Sequence, residues 1–142
     1  TELLSERGIP ICAHLGLTPQ SINRLGGYYV QGRDLEDKNR ILSEAKQLED
    51  AGAELILLEC VPSILAEEIS QTLKIPTIGI GAGSSTDGQI MVCYDAIGAY
   101  SWENQPKFVK NFMNDAKSIS DAFKKYVSEV KNLKFPSVEN SF

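Results

Sequence analysis

Histidine is nearly absent: His14 is the only one among 142 residues, so no metal centre made of several imidazoles can be assembled from this chain. Positive charge is scarce as well, with 14 Lys and Arg against 19 Asp and Glu and a net charge of −5. The lysines spread along the C-terminal half without clustering, so neither nucleic acid nor an anionic lipid surface is an expected partner. No apolar run approaches the roughly 20 residues of a membrane-spanning helix, and no secretory leader is expected before the first strand. A membrane is therefore not expected as a partner either. Cysteine is limited to Cys12, Cys60 and Cys93, which show no CxxC spacing and cannot all pair with one another. They read as buried thiols of a reducing compartment, the cytoplasm, or the mitochondrion in a eukaryote.

What is present is 42% apolar content, enough for one domain with a core. The opening "TELLSERGIP" has no initiator Met and has the pattern of the last turns of a helix stopped by Gly8, so the chain is expected to enter a fold part-way. A first strand is expected over Ile9–Leu17 and a long glycine-bearing loop over Thr18–Asp34. An amphipathic helix follows over Leu35–Ala51, ended by Gly52. "LILLE", Leu55–Glu59, supplies a second strand, and Ser63 is the expected N-cap of a helix over Ile64–Lys74. Third and fourth strands are expected over Ile75–Gly83 and Gln89–Tyr94. The spacing of Phe108, Phe112, Ala116, Ile119, Phe123, Tyr126 or Val127, and Val130 predicts one long helix over Lys107–Leu133, its aromatics serving as packing residues. Strands without polar alternation, separated by amphipathic helices, indicate an α/β fold with a parallel sheet covered on both faces.

Ligands of parallel α/β sheets bind where the carboxyl ends of the strands and their loops converge. Those ends nominate His14, Glu59, the loop Gly81–Gly88, and Tyr94 with Asp95. Glu59 ends a run of four aliphatic residues, and a carboxylate there loses hydration, which fits it for taking and giving protons. The alternative, weighed equally, is a rim carboxylate paired with a loop cation or amide. For His14, position alone favours a structural role beneath the loop. The stretch "GIGAGSSTDG" could gather backbone amides around a phosphate, yet it has no Gly-Lys-Ser/Thr and no full G-x-G-x-x-G entering a helix. A tight turn, with Asp87 and Asp95 capping or bracing, is the preferred reading.

Four linked segments, "IPICAHLGLTPQS", "GGYYVQGRD", "LILLECVPS" and "IPTIGIGAGSSTDGQIMVCYDAIG", occur in this order over Ile9–Gly98 and together closely resemble the ketopantoate hydroxymethyltransferase family. The resemblance implies the C-terminal half of a TIM (β/α)8 barrel, four parallel strands with flanking helices, with residues 104–142 as a helical extension of this single partial domain. It further implies transfer of a hydroxymethyl group from 5,10-methylenetetrahydrofolate to 3-methyl-2-oxobutanoate, with Glu59 as the catalytic base and His14 as a substrate-binding or orienting residue. The family's Mg2+ would take its ligands from the N-terminal half-barrel, whose motifs are missing here, so no metal ligand is expected from this chain. A second polypeptide or another half-barrel copy would have to cover the exposed sheet, homo-oligomers are expected, and the isolated chain is expected to have negligible activity. Two other readings stay open: a non-catalytic half-barrel assembly module, and a phosphate-binding barrel enzyme.

Overall fold

A computed structural model describes residues 1–100 and 104–142. Four strands, β1 (Cys12–Gly16), β2 (Leu55–Glu59), β3 (Thr77–Ile80) and β4 (Gly88–Gln89), form one sheet in the order β1-β2-β3-β4. Every neighbouring pair is parallel. Each new strand is added beside the previous one with no reversal, the succession by which a barrel wall grows, and unlike a doubly wound sheet it has no switch point. The chain is thus α/β with four parallel strands and flanking helices, as half of a (β/α)8 barrel requires.

The helices follow from periodicity and caps. Helix α1 (Glu2–Ser5) and the short α2 (Ile22–Leu25) flank β1, and α3 spans Leu35–Asp50. The α3 start is fixed by Asp34, whose side chain accepts from the Asp37 amide. Helix α4 (Ser63–Thr72) links β2 to β3, α5 is a single turn (Cys93–Ala96), and α6 runs Ile119–Lys131.

Side chains alternate along each strand, and this sorts the chemistry. Ala13 and Leu15 of β1 and Ile56 and Leu58 of β2 pack with Ile41 and Ala45 of α3 and Leu65, Ala66 and Ile69 of α4 in one buried core. The opposite face carries His14, Leu55, Leu57, Glu59 and Ile78, all only half-buried. One face of the sheet is therefore covered by helices, whereas the sequence pattern predicts cover on both.

Several boundaries also differ from expectation, each for a local reason. The predicted helix over Lys107–Leu133 begins only at Ile119, because Ser118 caps the Asp121 amide while the Asp121 carboxylate accepts from the Lys117 amide. Upstream, the Asn111 side chain accepts from the Met113 amide, a local bond that competes with helix. Strand β4 is two residues instead of six. The Gln89 carbonyl accepts from the Tyr126 hydroxyl at 2.8 Å, and the Val92 carbonyl accepts from the Asp95 and Ala96 amides, turning the chain into α5. Helix α4 begins at Ser63 itself, with Pro62 at the cap position and no side-chain cap bond. It ends early because Glu49 takes the Lys74 and Ile75 amides at 2.6 and 3.2 Å. The long loop contains a 3-10 turn (Pro19–Ser21) as well as α2.

Gly16 is the tightest point of the sheet. Its φ is +86°, and a Cβ there would lie 2.2 Å from the Glu59 carbonyl oxygen and 2.8 Å from Val61 Cγ1. Gly16→Ala is expected to destabilise the fold by about 2 kcal/mol or more, from overpacking and a left-handed backbone together. Urea unfolding measures it, and an unchanged midpoint would contradict this account.

Candidate active site

In the β1–β2 register Gly16 faces Glu59 and His14 faces Leu57. The glycine lets the two strands meet closely at Glu59, and His14 stands two residues earlier on β1. His14 Nε2 lies 3.1 Å from Glu59 Oε2, with the side chains 25% and 16% exposed. The contact lacks the alignment of a hydrogen bond, so His14 Nε2 is buried with no hydrogen-bond partner among the described residues. Both groups named from the sequence are thus side by side, but His14 lies mid-strand, below the strand end.

The chain turns sharply after the carboxylate. Cys60 adopts φ +49°, a region non-glycine residues seldom occupy. The turn is held because the Cys60 amide donates to the Ile80 carbonyl and its own carbonyl accepts from the Gln31 amide, both at 2.9 Å. The Leu17 amide donates to the Glu59 carbonyl at 2.8 Å. Glu59 is therefore fixed from β1, from β3 and from the loop before α3.

Glu59 opens into a cavity of about 610 Å³ lined also by Cys60, Ile80, Asp95, Tyr28, Tyr29, Arg33, Phe108 and Phe142, among others. Asp95 is buried there and belongs to α5, not to a strand end as the sequence suggests. Phe108, expected as a helix packing residue, instead sits edge-on to Phe142 on the cavity lining. Phe112, Tyr126 and Phe135 do pack together, with centroids 5.4–6.0 Å apart. Sequence reasoning missed Phe142 and Arg33 altogether. Nothing in the tail's composition signals that it folds back onto the site, whereas the unusual length of the loop bearing Tyr28, Tyr29 and Arg33 is itself a functional sign.

The loop Gly81–Gly88 uses its polar groups on its own framework. Asp87 Oδ2 accepts from the Thr77 amide and hydroxyl, and Gln89 Nε2 donates to the Gly83 carbonyl and to Thr86 Oγ1. Among the described residues no three His, Cys, Asp or Glu converge on a point that could hold a metal ion, so the magnesium of the resemblance does not fit these residues alone. Within the same limits, no helix is long and apolar enough to cross a membrane.

The family profile described as Ketopantoate hydroxymethyltransferase matches residues 1–138. The chain belongs to this family. It is 57% identical over 140 residues to the 3-methyl-2-oxobutanoate hydroxymethyltransferase of Pseudomonas fluorescens strain SBW25, covering 99% of this chain and 53% of the relative. To that of Chromobacterium violaceum it is 54% identical over 142 residues, 100% and 53% of the two chains. To that of Shewanella oneidensis it is 55% identical over 139 residues, 98% and 52%. The chain spans about half the length of these family members.

Burial, with a smaller contribution from the Glu59 charge, pushes the Cys60 thiol up from 9.0 to about 12. The folded state keeps this proton where the unfolded chain releases it, so the group's contribution to stability is complete below pH 9.0 and is lost as pH rises toward 12. Thiolate is the reactive form. Iodoacetamide at mildly alkaline pH is expected to label the exposed Cys12 and Cys93 and to leave Cys60 unlabelled until denaturant is added, read by peptide mass spectrometry. Equal labelling of all three in the folded protein would contradict the assignment.

Proposed function

We propose that this chain supplies the proton-transfer half of an enzyme that moves a hydroxymethyl group from 5,10-methylenetetrahydrofolate to 3-methyl-2-oxobutanoate, giving 2-dehydropantoate. The observation that carries the reading is Glu59 at the carboxyl end of β2, largely withdrawn from water, lining a cavity and 3.1 Å from His14. Family membership supports the substrate class.

In this reading the Glu59 carboxylate takes the proton from the carbon beside the keto group. The enolate carbon then forms a bond to the donor's one-carbon unit as that unit's bond to one folate nitrogen breaks, and water replaces the second nitrogen on the same carbon, supplying the hydroxyl. The two nitrogens leave with the proton taken from carbon and one from water. Position matters more than basicity here, because a base acts only within hydrogen-bond reach of the proton. The three-sided hold on Glu59 provides that. His14 is a positioning residue: its unpartnered Nε2 can bond either Glu59 or a substrate oxygen, and bonding the latter would orient the keto acid against the base. A bound magnesium would polarise the keto oxygen and stabilise the enolate. Its ligands would have to come from outside this chain, and an isolated chain would accordingly be inactive.

The test separates base from metal. The enzyme reconstituted from this chain and the first part of its Pseudomonas fluorescens relative is incubated with 3-methyl-2-oxobutanoate in D2O, without folate. Wild type is expected to exchange the hydrogen beside the keto group. Glu59→Gln should lower exchange and transfer together by roughly 10²–10⁴-fold, while His14→Asn should lower both less. Undiminished exchange in Glu59→Gln would remove the proposed base, and stable assembly with no chemistry in wild type would favour an assembly module.

A further inference from the structure

The start of α3 departs from the usual capping pattern. In a capping box the residue three past the cap turns its side chain back to the amide of the cap residue itself. Asp34 does its part, accepting from the Asp37 amide at 2.8 Å, but the Asp37 side chain reaches two residues further back, where Oδ2 accepts from the Gly32 amide. Gly32 is buried, seated against Leu65 and Ile41, and a buried amide left without an acceptor is costly. The helix cap has become a clasp on the loop before it.

The carboxylate is set for that one bond. Arg40 Nε and Nη2 both donate to Asp37 Oδ1, the former at 2.9 Å, and Arg40 Nη1 is held in turn by the two Glu44 oxygens at 2.8 and 2.9 Å. Oδ1 is thereby occupied and Oδ2 is turned to Gly32. Partial burial pushes the Asp37 carboxyl up, yet the Gly32 amide and the Arg40 guanidinium outweigh it and hold the group below its ordinary value. At neutral pH the clasp is a charge-assisted bond.

What the clasp fixes lies at the site, although Asp37 itself does not line the cavity. The residue before Gly32 is Gln31, whose amide donates to the Cys60 carbonyl at 2.9 Å. Cys60 holds a left-handed φ of +49°, a conformation that persists only where its surroundings enforce it. The residue before Cys60 is Glu59. A loop end free to drift would release the Cys60 carbonyl, and the turn could relax and carry the carboxylate with it.

We propose that Asp37 is a positioning residue for the base, acting through Gly32, Gln31 and the Cys60 turn to hold Glu59 where the substrate proton arrives. The inference rests on the reaction proposed above and adds to it a residue on the far side of the loop from the chemistry. Its effect is on rate more than on substrate affinity, because a displaced base still leaves the keto acid its other contacts while losing reach to the proton.

The reconstituted enzyme tests it with two readouts. Iodoacetamide labelling of Cys60 in the folded protein, read by peptide mass spectrometry, follows the turn independently of any chemistry. Deuterium exchange into 3-methyl-2-oxobutanoate over a range of keto acid concentrations separates rate from affinity. Asp37→Ala removes charge and acceptor, and because Asp37 is a quarter exposed its truncation leaves the core intact. Asp37→Asn removes the charge and keeps an acceptor. Lys38→Gln removes the Lys38–Glu68 ion pair between α3 and α4 and leaves the clasp alone.

Asp37→Ala is expected to label Cys60 several-fold faster than wild type and to lower the maximal exchange rate by about 10- to 100-fold, with little change in the half-saturating keto acid concentration. Asp37→Asn should recover most of both, and Lys38→Gln should match wild type. Asp37→Ala equal to wild type in either readout, Asp37→Asn as impaired as Asp37→Ala, or equal losses in Lys38→Gln overturns the positioning role. Should wild type exchange no hydrogen, the reaction assigned above falls. Faster Cys60 labelling confined to Asp37→Ala then keeps the clasp, and unchanged labelling removes it.

Discussion

The site depends on one missing side chain. Because position 16 is glycine, β1 can come against the end of β2 closely enough for the Leu17 amide to bond the Glu59 carbonyl. Two residues earlier on β1, His14 Nε2 lies 3.1 Å from the Glu59 carboxylate. A larger residue would push the strands apart where they must converge, and carboxylate and imidazole would separate together. Backbone geometry at the strand ends therefore sets the chemistry, and the side chains exploit it.

The sheet's two faces then divide the work. Alanine, leucine and isoleucine on one face lock α3 and α4 down and fix the strand register. Glu59 stands on the other face, partly dehydrated yet open to a cavity. The base proposed above has to be held in one position and still be reached by a substrate, and this placement allows both. The left-handed turn at Cys60 is the local strain this arrangement requires, and bonds from β3 and the tyrosine-bearing loop hold it.

The parts of the fold that were legible in the sequence are those governed by one dominant local signal. Leu55–Glu59 reads as a buried parallel strand because nothing polar interrupts it, and α3 because its apolar spacing runs to a stop at Gly52. The convergence of His14 and Glu59 follows from where parallel strands end, although His14 sits lower than that rule suggests. What was not legible depends on contacts distant in sequence. Tyr126 ends β4 from 37 residues away, and Ser63 is drawn from a capping role to the Phe142 carbonyl across 79 residues. The over-long helix is a different case. The capping signal "SISD" was present at Ser118–Asp121, but apolar periodicity continues straight through it and masks the break.

The half-buried row of Leu55, Leu57 and Ile78 has a thermodynamic consequence. Any surface that covers this row in the folded state alone adds its binding free energy to folding by mass action. A melting temperature measured for this chain is then a joint property of the chain and of the concentration of whatever lies against it, and two preparations identical in sequence need not melt together.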